Sequence, residues 1–158
     1  MINYAAFCFL CDALKKSKGK DWPMDIMKKF VDKDHFAKHL GVEVLEFSQG
    51  KAKARMTLRP HHLNSAGTVH GGAIFSLADA VFSVASNSHG TLALAINVSI
   101  SFFKAVKTGT LIAEGREVSV NPKLATYLID VKDEAGNAVA LFQGTVYRKK
   151  DAISDILN

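Results

Sequence analysis

The sequence predicts an α+β domain in which an antiparallel sheet wraps around one long central helix. Residues 71–87 place apolar side chains on nearly every side of a helix axis, a pattern typical of a helix that is buried all round. Two segments before this helix and four after it have the alternating pattern or the turn boundaries of strands. Because short turns join consecutive strands, the sheet is predicted to be mainly antiparallel. A sheet curled around the helix would bury it fully.

Length and composition fit one folded domain. The 158 residues are 48% hydrophobic and 22% charged, which is ordinary for a globular protein with a substantial core. No apolar run reaches the roughly 18 residues that a membrane span needs. The net charge of +5 could favour an anionic ligand such as a phosphate-bearing cofactor, although a solvated basic surface is the better interpretation of most of the lysines. No zinc-finger spacing, aromatic RNA-binding motif or recognition-helix pattern predicts a nucleic-acid partner.

The first part of the chain differs from the rest. Apolar Tyr4–Leu14 precedes basic Lys15–Lys20, the reverse of the order in a secretory signal. We expect residues 1–23 to be an extension, residues 24–150 to form the domain, and residues 151–158 to be a C-terminal tail.

The two cysteines, Cys8 and Cys11, form a lone C-x-x-C motif. A zinc site needs further ligands, and a thioredoxin-like site needs a strand–helix–strand context. Two cysteines on an apolar helix face are therefore the better interpretation. With no other cysteine in the chain, disulfides are not expected to stabilise the domain, and a cytoplasmic location fits.

The elements before the central helix follow in order. Asp25–Leu40 has the apolar spacing of an amphipathic helix, and Gly41 is a plausible end. Val42–Phe47 and Lys51–Leu58 alternate as the two strands of a hairpin, which Pro60 terminates.

The central helix is expected to begin at Gly71–Gly72 and to end at 87–90, where Gly90 suits a left-handed cap. In the first strand after it, apolar residues face one side, and Asn97, Ser99 and Ser101 face the other. The four strands predicted after the helix are Leu92–Phe103, Thr110–Val120, Thr126–Lys132 and Ala138–Arg148.

The central helix contains a single charged residue. Asp79 would be a carboxylate in the middle of a buried helix, which is costly unless it is paired or hydrogen-bonded. Such a group is a candidate functional residue on physical grounds, although a structural carboxylate that caps neighbouring backbone is the alternative.

The surrounding motif resembles the signature of hotdog-fold acyl-CoA thioesterases of the phenylacetate-pathway (PaaI-like) type. Its pattern is N-x-x-G-x-x-H-G-G-x-x-x-x-L-A-D, and the similarity runs from about residue 36 to about residue 148. The matching residues are Asn64, Gly67, His70, Gly71, Gly72, Leu77, Ala78 and Asp79. The resemblance implies a hotdog fold, hydrolysis of an acyl-CoA to a free acid and CoA, and no metal or redox cofactor.

The resemblance also assigns roles to individual residues. The glycine matching Gly71 contacts the oxyanion, and the acid matching Asp79 is the general base or the nucleophile. Asn64 and His70 help to hold the carbonyl group and the site. Each has a structural alternative: Asn64 as a turn residue, His70 as a helix cap, and the glycine pair as a point of close packing.

The helix geometry separates the two main candidates. Gly71 and Asp79 are eight positions apart, about 12 Å along one helix, so they cannot both contact one carbonyl carbon. If both act in catalysis, they come from different chains whose helices are antiparallel across a two-fold axis. The resemblance likewise implies a homodimer, often assembled as a dimer of dimers.

Further residues are candidates for substrate contact. Ser83 lies one turn after Asp79 on the same face, although an ordinary helix serine is an equal alternative. Leu63 or Phe82 could line an acyl pocket, and Asn97 or Ser99 could supply a polar contact from the following strand. The substrate-binding candidates are Gly72, Ser83, Leu63, Phe82 and Asn97.

Two other functions remain open from the sequence. One is an acyl-CoA-binding regulatory protein without turnover, and the other is a thioesterase that acts on acyl-carrier protein. A serine-hydrolase route lacks the G-x-S-x-G motif, and no cluster of histidines, cysteines and acids indicates a metal.

Overall fold

The computed structural model describes residues 24–157. The predicted extension and its two cysteines therefore lie outside the described residues. The chain begins with helix α1, Met24–Asp32, and the short helix α2, His35–His39. The prediction of one helix over Asp25–Leu40 was wrong at its centre, because the Asp34 side chain caps α2 by accepting a hydrogen bond from the Ala37 N–H.

Six strands surround the central helix. They are β1 Val42–Ser48 and β2 Lys51–Thr57 before helix α3 Gly71–Asn87, and β3 Thr91–Phe102, β4 Thr110–Val120, β5 Leu124–Asp133 and β6 Ala138–Ala152 after it. They form one sheet in the order β1-β2-β4-β5-β6-β3, and every neighbouring pair is antiparallel. The predicted α+β fold is confirmed.

The central helix has the predicted start. It ends at Asn87, and Gly90 adopts the expected left-handed conformation with φ of 81°. Most of its side chains are buried against one face of the sheet. Two strand glycines let the helix approach closely, since a Cβ on Gly115 would lie 2.7 Å from Val81 and one on Gly144 would lie 2.6 Å from Phe82.

The end of the chain differs from the prediction. Strand β6 continues to Ala152 and leads into a short helix, α4, Ile153–Ile156. Ile153 is fully buried, and its N–H donates to the Gly90 carbonyl at 3.1 Å. Ile153 and Leu157 pack in or against the core, whereas Asp151, Asp155 and Ile156 are exposed.

Strand β3 lies at one edge of the sheet and carries a bulge between Ala95 and Asn97. The bulge breaks the simple alternation predicted for the strand. Beyond it, Val98 pairs with Gly144 on the face toward α3, whereas Asn97 pairs with Thr145 on the opposite face.

Candidate active site

The loop before the central helix is closed by its own backbone. Residues 60–62 form a 3₁₀ turn, and Leu63 pairs with Val69 in an antiparallel bridge. The Asn64 N–H donates to the Thr68 carbonyl at 2.8 Å, and the Val69 N–H donates to the Val106 carbonyl at 2.8 Å. The loop therefore delivers the chain to the start of α3 in one defined path.

The Asn64 side chain is part of that closure. Its Oδ1 accepts from the Ala66 N–H at 2.9 Å and the Thr68 N–H at 3.2 Å, and its Nδ2 donates to Thr68 Oγ1 at 3.0 Å. This is the turn role that the sequence offered as an alternative. Within one chain, Asn64 shapes the loop that carries His70.

His70 caps the central helix. Its Nδ1 accepts a hydrogen bond from the Gly72 N–H at 2.8 Å, as an N-cap side chain does. Among the described residues, the Gly71 N–H donates to no acceptor. The cap therefore uses one free donor of the helix N-terminus and leaves its neighbour available, at the positive end of the helix dipole.

Phe102 covers the other side of Gly71. A Cβ on Gly71 would lie 3.2 Å from Phe102 Cζ, tighter than ordinary van der Waals contact. Sequence reasoning missed Phe102, because only the register of β3 against α3 brings the two residues together. Only glycine fits at this position without moving the aromatic ring.

Asp79 lies in the middle of α3 with its side chain half-buried. No other described residue forms a hydrogen bond or an ion pair with its carboxyl group. Burial, followed by the negative charge of Asp34, raises the pKa of the Asp79 carboxyl group above its ordinary value. A carboxylate that is poorly solvated and unpaired is a stronger base, which is what proton abstraction from water requires.

A cavity of about 250 Å³ lies against Ala80, Ser83 and Val84 of α3, the residues that follow Asp79, although Asp79 itself is not part of its lining. Helices α1 and α2 and strand β1 enclose it against α3, and Ser83 contributes the one helix hydroxyl of its lining. Its lining is mixed: Asp32, Asp34 and Lys38 are charged, and the apolar residues are Phe30, Val31, Ala37, Val42, Val44, Ala80 and Val84. Sequence reasoning did not find this cavity, since it depends on how α1 and α2 pack on the helix.

The structure does not bring all the substrate-binding candidates together. Phe82 is buried between α3 and the sheet, with its ring centroid 5.7 Å from that of Tyr127, so it is a core residue. Asn97 is exposed on the sheet face turned away from α3, the face that the alternation predicted for it. Leu63 and Gly72 lie at the N-terminal end of α3, whereas Ser83 lies beside the cavity.

Two general features of the described residues bear on the site. No three of their histidine, cysteine, aspartate or glutamate side chains are grouped so that they could hold a metal ion. Within residues 24–157, no helix has both the length and the apolar character needed to cross a membrane.

The chain is similar to known proteins along most of its length. The profile of the Thioesterase superfamily matches residues 66–140. A relative from Archaeoglobus fulgidus named "Putative esterase" is 48% identical over 141 residues, covering 89% of this chain and 90% of the relative. The acyl-coenzyme A thioesterase PaaI of Escherichia coli is 34% identical over 118 residues, covering 74% of this chain and 84% of that protein.

The chain belongs to the PaaI-like hotdog thioesterases. The structure of the Escherichia coli PaaI protein from the phenylacetic acid degradation operon matches with a TM-score of 0.78 and 29% identity, covering 84% of this chain and 99% of that chain. The hotdog fold and the thioester hydrolase class that the motif implied are therefore confirmed.

Proposed function

We propose that this thioesterase hydrolyses acyl-CoA thioesters at a site shared by two copies of the chain. The observation that carries the proposal is the presence of two unused groups on α3. The Gly71 N–H has no acceptor, and the Asp79 carboxyl group has no partner among the described residues. Thioester hydrolysis needs a donor for the oxyanion and a carboxylate for the water or the carbonyl carbon.

The proposed reaction uses both groups. Asp79 takes a proton from water, and the resulting hydroxide adds to the thioester carbonyl carbon. The negative charge that forms on the carbonyl oxygen accepts a hydrogen bond from the Gly71 N–H of the second copy. The carbon–sulfur bond then breaks, the CoA thiolate takes up the proton, and the free acid leaves.

An alternative route, in which Asp79 acts as the nucleophile, uses the same residues. The Asp79 carboxylate would attack the carbonyl carbon, expel the CoA thiolate and form a mixed anhydride, which water then hydrolyses. In either route, His70 supports the donor by capping the Gly72 N–H.

The exposed edge of the sheet supports a dimer. Strand β3 has one free edge, and Leu94, Ile96 and Val98 on it are 47%, 58% and 37% exposed. A long apolar edge strand is a template for pairing with another strand. Pairing of two β3 edges about a two-fold axis would cover these side chains and allow the two α3 helices to lie antiparallel.

The cavity beside Asp79 supports a limited acyl size. Its volume of about 250 Å³ is room for roughly eight water-sized groups at ~30 Å³ each. We propose a medium-chain or aryl acyl group, held by the apolar wall between α1, β1 and α3.

A free-thiol release assay on acyl-CoAs from acetyl to palmitoyl, with phenylacetyl and benzoyl esters, tests the proposal. Asp79→Ala should abolish turnover while the oligomer persists in gel filtration, and the exposed Asp25→Ala should behave as the parent. Binding of the esters without release from any of them would contradict hydrolysis and favour the regulatory function. Faster turnover of acyl-carrier protein esters than of CoA esters would move the substrate class to that carrier.

A further inference from the structure

One buried polar atom among the described residues has no hydrogen-bond partner, and it is Nε2 of His62. The His62 side chain is 2% exposed. Native proteins seldom leave such an atom unpaired without a structural or functional reason. The neighbours of His62 place it at the base of the loop that leads to the oxyanion contact.

The other ring nitrogen fixes the tautomer. His62 Nδ1 lies 3.0 Å from the Arg59 backbone nitrogen and accepts its N–H. A neutral imidazole that accepts at Nδ1 carries its proton on Nε2. The bond to Arg59 therefore exists only while the ring is neutral, because the protonated ring is a donor at both nitrogens.

The main chain of His62 connects this bond to the helix start. The His62 N–H donates to the Arg59 carbonyl at 2.9 Å, and the His62 carbonyl accepts from the His70 N–H at 2.8 Å. His70 in turn caps Gly72. A continuous series of hydrogen bonds thus runs from the His62 ring to the residues on both sides of Gly71.

We propose that His62 is a positioning residue for the Gly71 oxyanion contact, holding the loop in place while its ring is neutral and releasing it when the ring is protonated. The inference rests on the proposed function, since it assigns Gly71 the oxyanion role. His62 touches no substrate in this account and acts through His70.

The surroundings of the ring set the direction of the effect. Burial, followed by the charge of His61, lowers the His62 pKa below its ordinary value. The Leu40 backbone near the ring has a smaller, opposite effect, although no hydrogen bond joins it to Nε2. The folded protein therefore binds this proton less readily than the unfolded chain. The stabilisation of the loop is complete above the unfolded value of 6.5 and is lost as the pH falls toward the lower pKa of the folded state.

Two substitutions separate the hydrogen bond from the charge. His62→Asn places an amide oxygen where Nδ1 lies and cannot titrate, whereas His62→Leu keeps bulk and removes the acceptor. His35→Asn removes an exposed imidazole on α2 and is the matched control. We would measure kcat and KM for an acyl-CoA from pH 4 to 9, and amide exchange of residues 70–72 by NMR over the same range.

The acid limb of kcat/KM should have a slope of about two in the parent, one proton for Asp79 and one for His62. His62→Asn should lower the slope to about one and keep kcat at pH 8 within a few-fold of the parent. His62→Leu should reduce kcat about tenfold or more with a smaller change in KM, and should speed exchange at residues 70–72 at every pH.

Other results would overturn the inference. An unchanged slope in His62→Asn, or parent-like kcat in His62→Leu, would show that the ring does not position the site. Absence of turnover in the parent would contradict the proposed function instead. The protection factors of residues 70–72, which correct each exchange rate for its intrinsic pH dependence, would then still decide whether His62 holds the loop. Protection factors independent of pH in the parent would reject it, and protection factors that fall in acid in the parent but not in His62→Asn would support it.

Discussion

Phe102 lies against Gly71 so closely that a single methyl group on the glycine would come within 3.2 Å of the aromatic ring. This contact joins the edge strand β3 to the N-terminus of α3. It leaves the Gly71 N–H as the free donor of a sterically confined site. The position therefore has no room for a side chain unless the ring moves, whereas the proposed oxyanion contact needs only the N–H.

Gly71→Ala should lower kcat about 10²- to 10³-fold, the usual effect of losing one oxyanion donor. The added methyl group would displace Phe102 and keep the carbonyl oxygen from the N–H. The measurement is kcat from initial rates on the acyl-CoA that the parent hydrolyses best. Circular dichroism shows whether the fold is intact.

The double variant Gly71→Ala with Phe102→Leu is the control. Leucine relieves the contact with the ring but leaves the added methyl group on residue 71, next to the proposed oxyanion contact. Activity should stay low in the double variant. Recovery to the parent rate would mean that Gly71 matters only for packing.

Asp79→Asn should lower kcat about 10²- to 10⁴-fold, the range of general-base catalysis, and yet raise Tm at neutral pH. Burial raises the pKa of the Asp79 carboxyl group from 3.8. The folded state therefore favours the protonated acid, and the associated stability is present below pH 3.8 and lost as the pH rises through the folded pKa. The gap in Tm between variant and parent should thus narrow as the pH falls toward 4.

A matched acid checks this prediction. Asp25→Asn changes an exposed carboxylate at the start of α1 and should alter neither kcat nor the pH dependence of Tm. A lower Tm in Asp79→Asn at pH 7 would indicate that the carboxylate makes a stabilising contact.

Ala80→Val should narrow the acyl range. Ala80 lines the cavity beside Asp79 and is 7% exposed, so two added methyl groups project into the space assigned to the acyl chain. Turnover of octanoyl-CoA or phenylacetyl-CoA should fall about tenfold, while that of acetyl-CoA changes little.

Ala140→Val adds the same volume to the core on β6, outside the cavity lining. It should cost stability, as overpacking does by about 1–3 kcal/mol, without changing the order of substrates. An equal shift of preference in both variants would contradict the assignment of the cavity.

A second polar cluster, far from the acyl cavity, is predicted to stabilise the fold. Glu117 Oε2 accepts from the buried Tyr127 hydroxyl at 2.8 Å and lies 2.5 Å from His89 Nε2. Glu117→Ala should reduce the free energy of unfolding by about 1–3 kcal/mol, because the Tyr127 hydroxyl would remain buried without a partner. Urea denaturation measures the change.

Glu114→Ala on the same strand is the comparison. Glu114 forms a surface ion pair with Lys53 at 2.7 Å and is 45% exposed, so its removal should cost only about 0–1 kcal/mol. Equal losses of unfolding free energy in the two variants would show that the Glu117 cluster stabilises the fold no more than a surface ion pair does.

The sequence predicts the local features well because they depend on local rules. The apolar run and its flanking glycines locate α3, and the turn residues between alternating segments locate the strands. The break at Asp34 was missed because an aspartate inside an amphipathic pattern can either continue the helix or cap a new one, and only packing decides between them.

Features that depend on register could not be predicted in this way. The bulge between Ala95 and Asn97 shifts the alternation of the residues before it relative to those after it. The contact of Phe102 with Gly71, the cavity between α1 and α3, and the burial of His62 all depend on elements that are distant in sequence. The motif nevertheless named both unused groups on α3, since it places them at fixed positions of a single helix.

Complementation between two inactive variants tests most directly whether the site is shared. Gly71→Ala and Asp79→Asn would be purified separately, mixed at equal amounts, unfolded and refolded together. A mixed dimer has one site that joins an intact Gly71 to an intact Asp79, so the mixture should recover about a quarter of parent activity. Activity no higher than that of the two variants refolded alone, with mixed dimers present by native mass spectrometry, would contradict a site built from two subunits.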